Sequence, residues 1–248
     1  MSEDRRSARL DALGIDVYVT RGRSVADSTE LAIPTPAAVP EPALVDAAAD
    51  PGAAVAGLDW DALQQRVAIC SDCALHETRT QAVFGVGNRR ARWLFVGEAP
   101  GAEEDRRGEP FVGRAGQLLN EMLRAIGFAR EDVYIANVLK CRPPNNRDPR
   151  PDEVASCRGH LERHIELVAP KMIVAVGRIA AQSLLGTDTA MGRMRGKLHR
   201  LGSRGWPVVV TYHPAYLLRS PSQKRRAWED LLFAMREYRR IESQPGSG

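Results

Sequence analysis

The side chains able to do chemistry fall into two groups. The first is sulfur. Cys70 and Cys73 stand two residues apart, Cys141 follows after 67 intervening residues and Cys157 after 15 more, and the 248-residue chain has no other cysteine. A C-x2-C pair with two further cysteines and none left over reads as one four-thiolate site, acceptable to zinc or to a [4Fe–4S] cluster. Zinc sites commonly carry a second tight pair, so the wide spacing of Cys141 and Cys157 leans toward the cluster. Buried free thiols are the plain alternative.

The second group begins in the stretch from Trp93 to Leu119. An apolar run, W-L-F-V-G, breaks into a loop holding Glu98, Glu103, Glu104, Asp105 and Phe111, and that loop ends at the mouth of an apolar-periodic helix. The phosphate-cradling spacings G-x-x-x-x-G-K-[ST] and G-x-G-x-x-G are absent, and four carboxylates would repel a phosphate. Such a loop suits a neutral or cationic reacting centre, with Glu103 and Asp105 expected to be solvated. Two more apolar runs end on unusual polar residues, Val133–Val138 at Asn137 and Val208–Tyr212 at His213.

Positioning these groups requires a scaffold, and its periodicity is legible. Strands are predicted at Trp93–Gly97, Val133–Val138, Met172–Val176 and Val208–Tyr212. They alternate with helices over 58–69, 116–126, 152–168, 179–185 and 222–241. This alternation implies an α/β fold, a three-layer α/β/α sandwich around a four-stranded, mainly parallel sheet, with its site at the strand carboxyl ends. Glu98, Asn137 and His213 all stand at such ends. The globular part is expected over 57–242. A short segment, 1–24, an Ala/Pro-rich linker, 25–56, and a tail, 243–248, are expected to lie outside it.

The charge agrees with a polyanionic partner. Residues 1–55 hold 5 Lys and Arg against 9 Asp and Glu, which leaves 30 against 22 in the remainder. The globular part is therefore basic. No apolar run approaches the ~18 residues of a membrane span, and the first residues lack the apolar core of a signal peptide. A cytoplasmic protein is expected.

Taken together, G-E-A-P-G-A-E-E-D at 97–105, G-E-P-F-V-G-R-A-G-Q-L-L at 108–119, N-V-L-K-C-R-P-P at 137–144, H-P-A-Y-L-L-R at 213–219 and the four cysteines resemble the family 4 uracil-DNA glycosylases, the iron–sulfur type. The resemblance implies a monomeric, monofunctional enzyme of base excision repair. It would release uracil from single- or double-stranded DNA and carry a [4Fe–4S] cluster on Cys70, Cys73, Cys141 and Cys157. Phe111 would stack on the extruded base and Asn137 would read its edge, with Gly97 and Ala99 lining the pocket. His213 would hydrogen-bond the departing uracil, while Glu98 and Glu104 would position water and stabilise the sugar cation. Ala99 stands near the place where classical uracil glycosylases carry an aspartate, so their water activation does not transfer. Leu217, with Leu218 as its neighbour, would enter the minor groove, and Arg219, Arg142 and Arg147 would meet phosphates. The rival reading is a non-catalytic iron–sulfur or zinc accessory protein that binds single-stranded DNA, which leaves Glu98, Asn137 and His213 without a purpose.

Overall fold

The computed structural model describes residues 55–243; the expectations for 1–24, for nearly all of the linker and for the last five residues fall outside that range. Its centre is a sheet whose strands run β1 (Val86–Gly87), β2 (Trp93–Gly97), β3 (Tyr134–Asn137), β4 (Met172–Val176), β5 (His199–Leu201) and β6 (Trp206–Thr211). In space the order is β1-β3-β2-β4-β6-β5. The inner four are parallel, whereas β1 on β3 and β5 on β6 are antiparallel. The four-strand expectation thus describes the core of a six-stranded sheet. The two added strands are edge pieces of two and three residues.

Every residue of β2, β3 and β4 is buried, as expected of parallel strands covered on both faces. Alternate side chains feed two cores. Leu94, Val96, Ile173, Ala175, Val208 and Val210 meet α4 (Pro151–Val168) and α5 (Arg178–Leu185) on one face. Trp93, Phe95, Val174 and Val209 meet α3 (Arg114–Ala125) and α8 (Lys224–Glu242) on the other. The remaining helices among the described residues are α1 (Trp60–Ala68), α2 (Ala102–Arg107), α6 (Met191–Met194) and α7 (Pro214–Arg219).

Local chemistry sets the boundaries. Asp59 caps α1 through the Ala62 N–H at 2.9 Å. Pro151 opens α4, and Glu153 in its first turn accepts from the Arg150 N–H at 2.8 Å. None of the helices among the described residues is long and apolar enough to cross a membrane.

The acidic loop differs from its expectation. Residues 102–107 form α2, and Asp105 is buried rather than solvated, both carboxylate oxygens accepting from the Thr80 N–H at 2.9 and 3.1 Å. The loop N–H that this carboxylate satisfies offsets part of the cost of taking it out of water. Glu103 remains at the surface beside Arg106.

Candidate active site and thiol site

At the carboxyl ends of β2, β3 and β6 a cleft of about 440 Å³ is lined by Glu98, Ala99, Glu104, Phe111, Asn137, Arg147, His213 and Arg219, among others. Register explains part of this convergence, because Gly97 and Asn137 are partners across β2 and β3. Gly97 is the floor. A Cβ there would lie 2.6 Å from the Phe111 ring and collide with Asn137 Oδ1, so only glycine admits both side chains. Phe111 sits at φ 54°, a left-handed backbone that is costly for a residue with a side chain. The loop holds it there: Glu104 Oε1 accepts from the Val112 and Gly113 N–H groups at 2.9 and 3.0 Å.

Asn137 is only 2 % exposed, and its Oδ1 has no hydrogen-bond partner. A buried, unsatisfied acceptor costs about 1–3 kcal/mol and calls for an explanation. A ligand donor entering the cleft would supply one. The Phe111 and His213 rings stand 5.5 Å apart and tilted by 31°. His213 caps α7 as its Nδ1 accepts from the Ala215 N–H at 3.2 Å. That bond assigns the hydrogen of the neutral ring to Nε2. Burial, reinforced by Arg219, lowers the His213 pKa to about 4, so the ring is neutral at physiological pH.

Glu98 has a different environment. Burial, with Asp148 adding to it and Arg178 opposing it, raises its pKa to about 7. Asp148 and Arg178 pair at 3.1 Å beside it. Neither was singled out from the sequence; an acid in a proline-rich loop and an arginine opening a helix carry no local signal. Lys140 was also missed. It is 2 % exposed, and its Nζ donates to the carbonyls of Asn137 and Phe84, both at 3.1 Å.

The other predicted residues are placed unevenly. Leu217 is 1 % exposed and cannot reach a groove as folded, because α7 turns it into the interior; Leu218 beside it is 36 % exposed. Arg147 lines the cleft but is bound bidentately to Glu153, with one contact at 2.9 Å. Arg142 Nε donates to Asn146 Oδ1 at 2.8 Å within the same loop. Arg219 is exposed at the cleft edge.

All four cysteines line one small cavity, together with Asp72, Lys140 and His160. N–H groups point at their sulfurs. Arg79 donates to Cys141 Sγ at 2.8 Å and the Lys140 backbone to Cys157 Sγ at 3.3 Å, while backbone hydrogen bonds from Asp72 and Leu75 favour the Cys70 and Cys73 thiolates. Burial raises all four thiols, Cys157 to about 12. A metal must displace those protons. The N–H donors and the cations Arg66, Arg79 and Lys140 compensate the negative charge that results, so the donor set fits an anionic metal–thiolate centre. Cys70, Asp72 and His160 also bring ligand atoms within 4.8 Å of one another. Asp72 is already committed, however, to Arg66 at 2.6 and 2.7 Å. His164 is a packing residue, its Nε2 3.3 Å from the Tyr134 hydroxyl.

Residues 84–232 match the Uracil DNA glycosylase superfamily. The type-4 uracil-DNA glycosylase of Archaeoglobus fulgidus is 49 % identical over 175 residues, 68 % of this chain and 87 % of that protein. The type-4 enzyme of Thermotoga maritima is 49 % identical over 166 residues, 66 % and 85 % of the two chains. A type-5 uracil-DNA glycosylase of Pyrobaculum aerophilum is 34 % identical over 149 residues, 53 % and 64 %.

Proposed function

The chain belongs to the uracil DNA glycosylase superfamily, and from that membership we propose a catalytic cycle in which a deoxyuridine flipped out of DNA is gripped by Phe111, Asn137 and His213. The activity is hydrolysis of an N-glycosyl bond in DNA, in the service of DNA repair. The observation that carries the reading is the buried Asn137 Oδ1, unpartnered beside the Phe111 ring. Uracil N3–H can donate to that oxygen while the Asn137 amide donates to O4. Cytosine reverses both polarities and is rejected at ~1–3 kcal/mol for each group left unpaired. Stacking on Phe111 adds ~1–3 kcal/mol for any base, so it binds without selecting.

As the bond breaks, uracil takes the electron pair and the sugar turns cationic. The His213 Nε2–H is fixed as a donor by the Ala215 cap and meets the charge developing on O2. Glu98, with a pKa of about 7, is the carboxylate for the attacking water and the sugar cation. Glu104 has one oxygen committed to the loop backbone, so it holds Phe111 in place and acts as a positioning residue. Leu218 is the wedge, and Arg219 meets a phosphate. Lys140 is spent on two backbone carbonyls and is unavailable for Schiff-base chemistry, which agrees with a monofunctional enzyme.

The four cysteines hold a [4Fe–4S] cluster. When bound there, it supplies a covalent clamp between the Cys70–Cys73 segment, the loop after β3 and helix α4. Residues 57–242 form the catalytic domain and act as a monomer. The test is excision from a uracil-containing oligonucleotide, read by alkaline cleavage, with Asn137→Asp and His213→Ala beside the parent. Both variants should lose at least ~10²-fold in rate. Parent-like rates from both would mean that the base is bound elsewhere. Iron content and absorbance near 400 nm test the cluster separately.

A further inference from the structure

His160 has no place in the chemistry above, and its surroundings are unusual. It is 2 % exposed on α4, one turn from Cys157, and neither Nδ1 nor Nε2 makes a well-formed hydrogen bond, the Cys157 carbonyl being only a weak backbone acceptor for the ring. Two poorly satisfied ring nitrogens in one buried side chain are costly, and a packing role would be served better by an apolar residue. The ring lines the cavity of the four cysteines, with a nitrogen within 4.8 Å of Cys70 Sγ. His164, one turn further along the same helix, satisfies both its nitrogens through Tyr134 and the His160 carbonyl. The contrast places the unmet need at His160 alone.

The groups facing the ring narrow its purpose. Asp72 is the nearest carboxylate, and Arg66 already occupies both of its oxygens. The nearby cations, Lys140 and Arg66, offer no acceptor. Beyond the weak Cys157 carbonyl contact, the acceptor that the ring can reach in the cavity is sulfur. Cys141 and Cys157 receive side-chain and backbone N–H donors from Arg79 and Lys140, and a ring nitrogen lies within 4.8 Å of Cys70 Sγ, so the Cys70 side is the one that the imidazole serves.

We propose that His160 is a hydrogen-bond donor to the metal–sulfur centre on its Cys70 side, which stabilises the more negative, reduced state of that centre. This rests on the [4Fe–4S] reading of the four cysteines. Four thiolates complete the ligand set of such a cluster, so the imidazole stands outside it as a donor and is not a fifth ligand. Hydrogen bonds to cluster sulfurs raise the reduction potential, because they favour the form with more negative charge.

The experiment uses the full chain, purified without air, as the parent, His160→Phe and His160→Gln. Phenylalanine keeps the bulk and removes the donor; glutamine keeps an N–H donor. Iron per chain and absorbance near 400 nm first establish loading. The reduction potential is then measured by voltammetry, and the reduced, paramagnetic cluster is examined by pulsed EPR in protein labelled with ¹⁵N-histidine. The expected result is a weak ¹⁵N coupling in the parent that His160→Phe removes, a potential shifted to more negative values in His160→Phe, and a return toward the parent value in His160→Gln. If His160→Phe does not hold the cluster, a potential in His160→Gln equal to the parent's together with the parent's weak coupling supports the inference, and a parent lacking that coupling overturns it. Unchanged potential and coupling in a loaded His160→Phe overturn it, as does a strong coupling typical of a directly ligated nitrogen. A parent without iron overturns the cluster reading first, and this inference with it.

Discussion

Replacing Gly97 by alanine tests the pocket without touching any side chain assigned to the chemistry. A Cβ at this position would approach Phe111 Cε2 and Cζ to 2.6 Å, about 1 Å short of the ~3.5 Å at which two carbons rest. On its other side it meets Asn137 Oδ1. Phe111 has little freedom to retreat, because its own carbonyl is packed so closely on Gly116 that no side chain fits between them. The ring and the amide must therefore part by about 1 Å. A displacement of that size costs on the order of 10²-fold in rate, whereas overpacking costs about 1–3 kcal/mol of stability. Single-turnover excision from a uracil oligonucleotide measures the first, and thermal unfolding with iron content measures the second. A folded, iron-loaded Gly97→Ala that cleaves like the parent would refute the idea that Phe111 and Asn137 jointly hold the base.

Three further outcomes follow from the same geometry. Glu98 must be ionised to serve the water, so excision should fall on the acid side of about pH 7; Asp148→Asn removes a repulsion and should move that limb to lower pH in a pH–rate profile, and an unmoved limb would exclude Glu98 as its source. Leu218→Ala should slow excision from double strands more than from single strands when both are timed together, whereas Leu217→Ala should instead lower stability in denaturant unfolding by about 2–5 kcal/mol. Arg219→Ala should reduce the slope of log binding against log salt by about 1, while Arg147→Ala should leave that slope unchanged and destabilise the chain by roughly 1–3 kcal/mol, since Glu153 loses its partner.

The parallel core was readable because a strand covered on both faces must be a continuous apolar run, and W-L-F-V-G and M-I-V-A-V are such runs. The edge strands β1 and β5 are too short to show a period. Helix α2 escaped because A-E-E-D-R-R has no apolar face; its one buried residue, Asp105, meets a loop N–H that is distant in sequence. At the site, residues at strand ends were legible as a group: Glu98, Asn137 and His213 share the cleft. Orientation was not. Leu217 and Leu218 differ only in which side of a six-residue helix they occupy, and Arg147 looks like any loop arginine until Glu153 is seen beneath it. The environment of Glu98 depends on Asp148 and Arg178, which fold topology alone brings together.

The central claim is that one cleft receives the ring, the edge and the departing charge of a pyrimidine. A crystal structure of the protein soaked with free uracil, the product of the reaction, tests it most directly. The expected result is a ring stacked on Phe111, with N3 about 2.9 Å from Asn137 Oδ1 and O2 within hydrogen-bond reach of His213 Nε2. Uracil bound at another place, or an Asn137 Oδ1 that stays unpartnered in its presence, would contradict it.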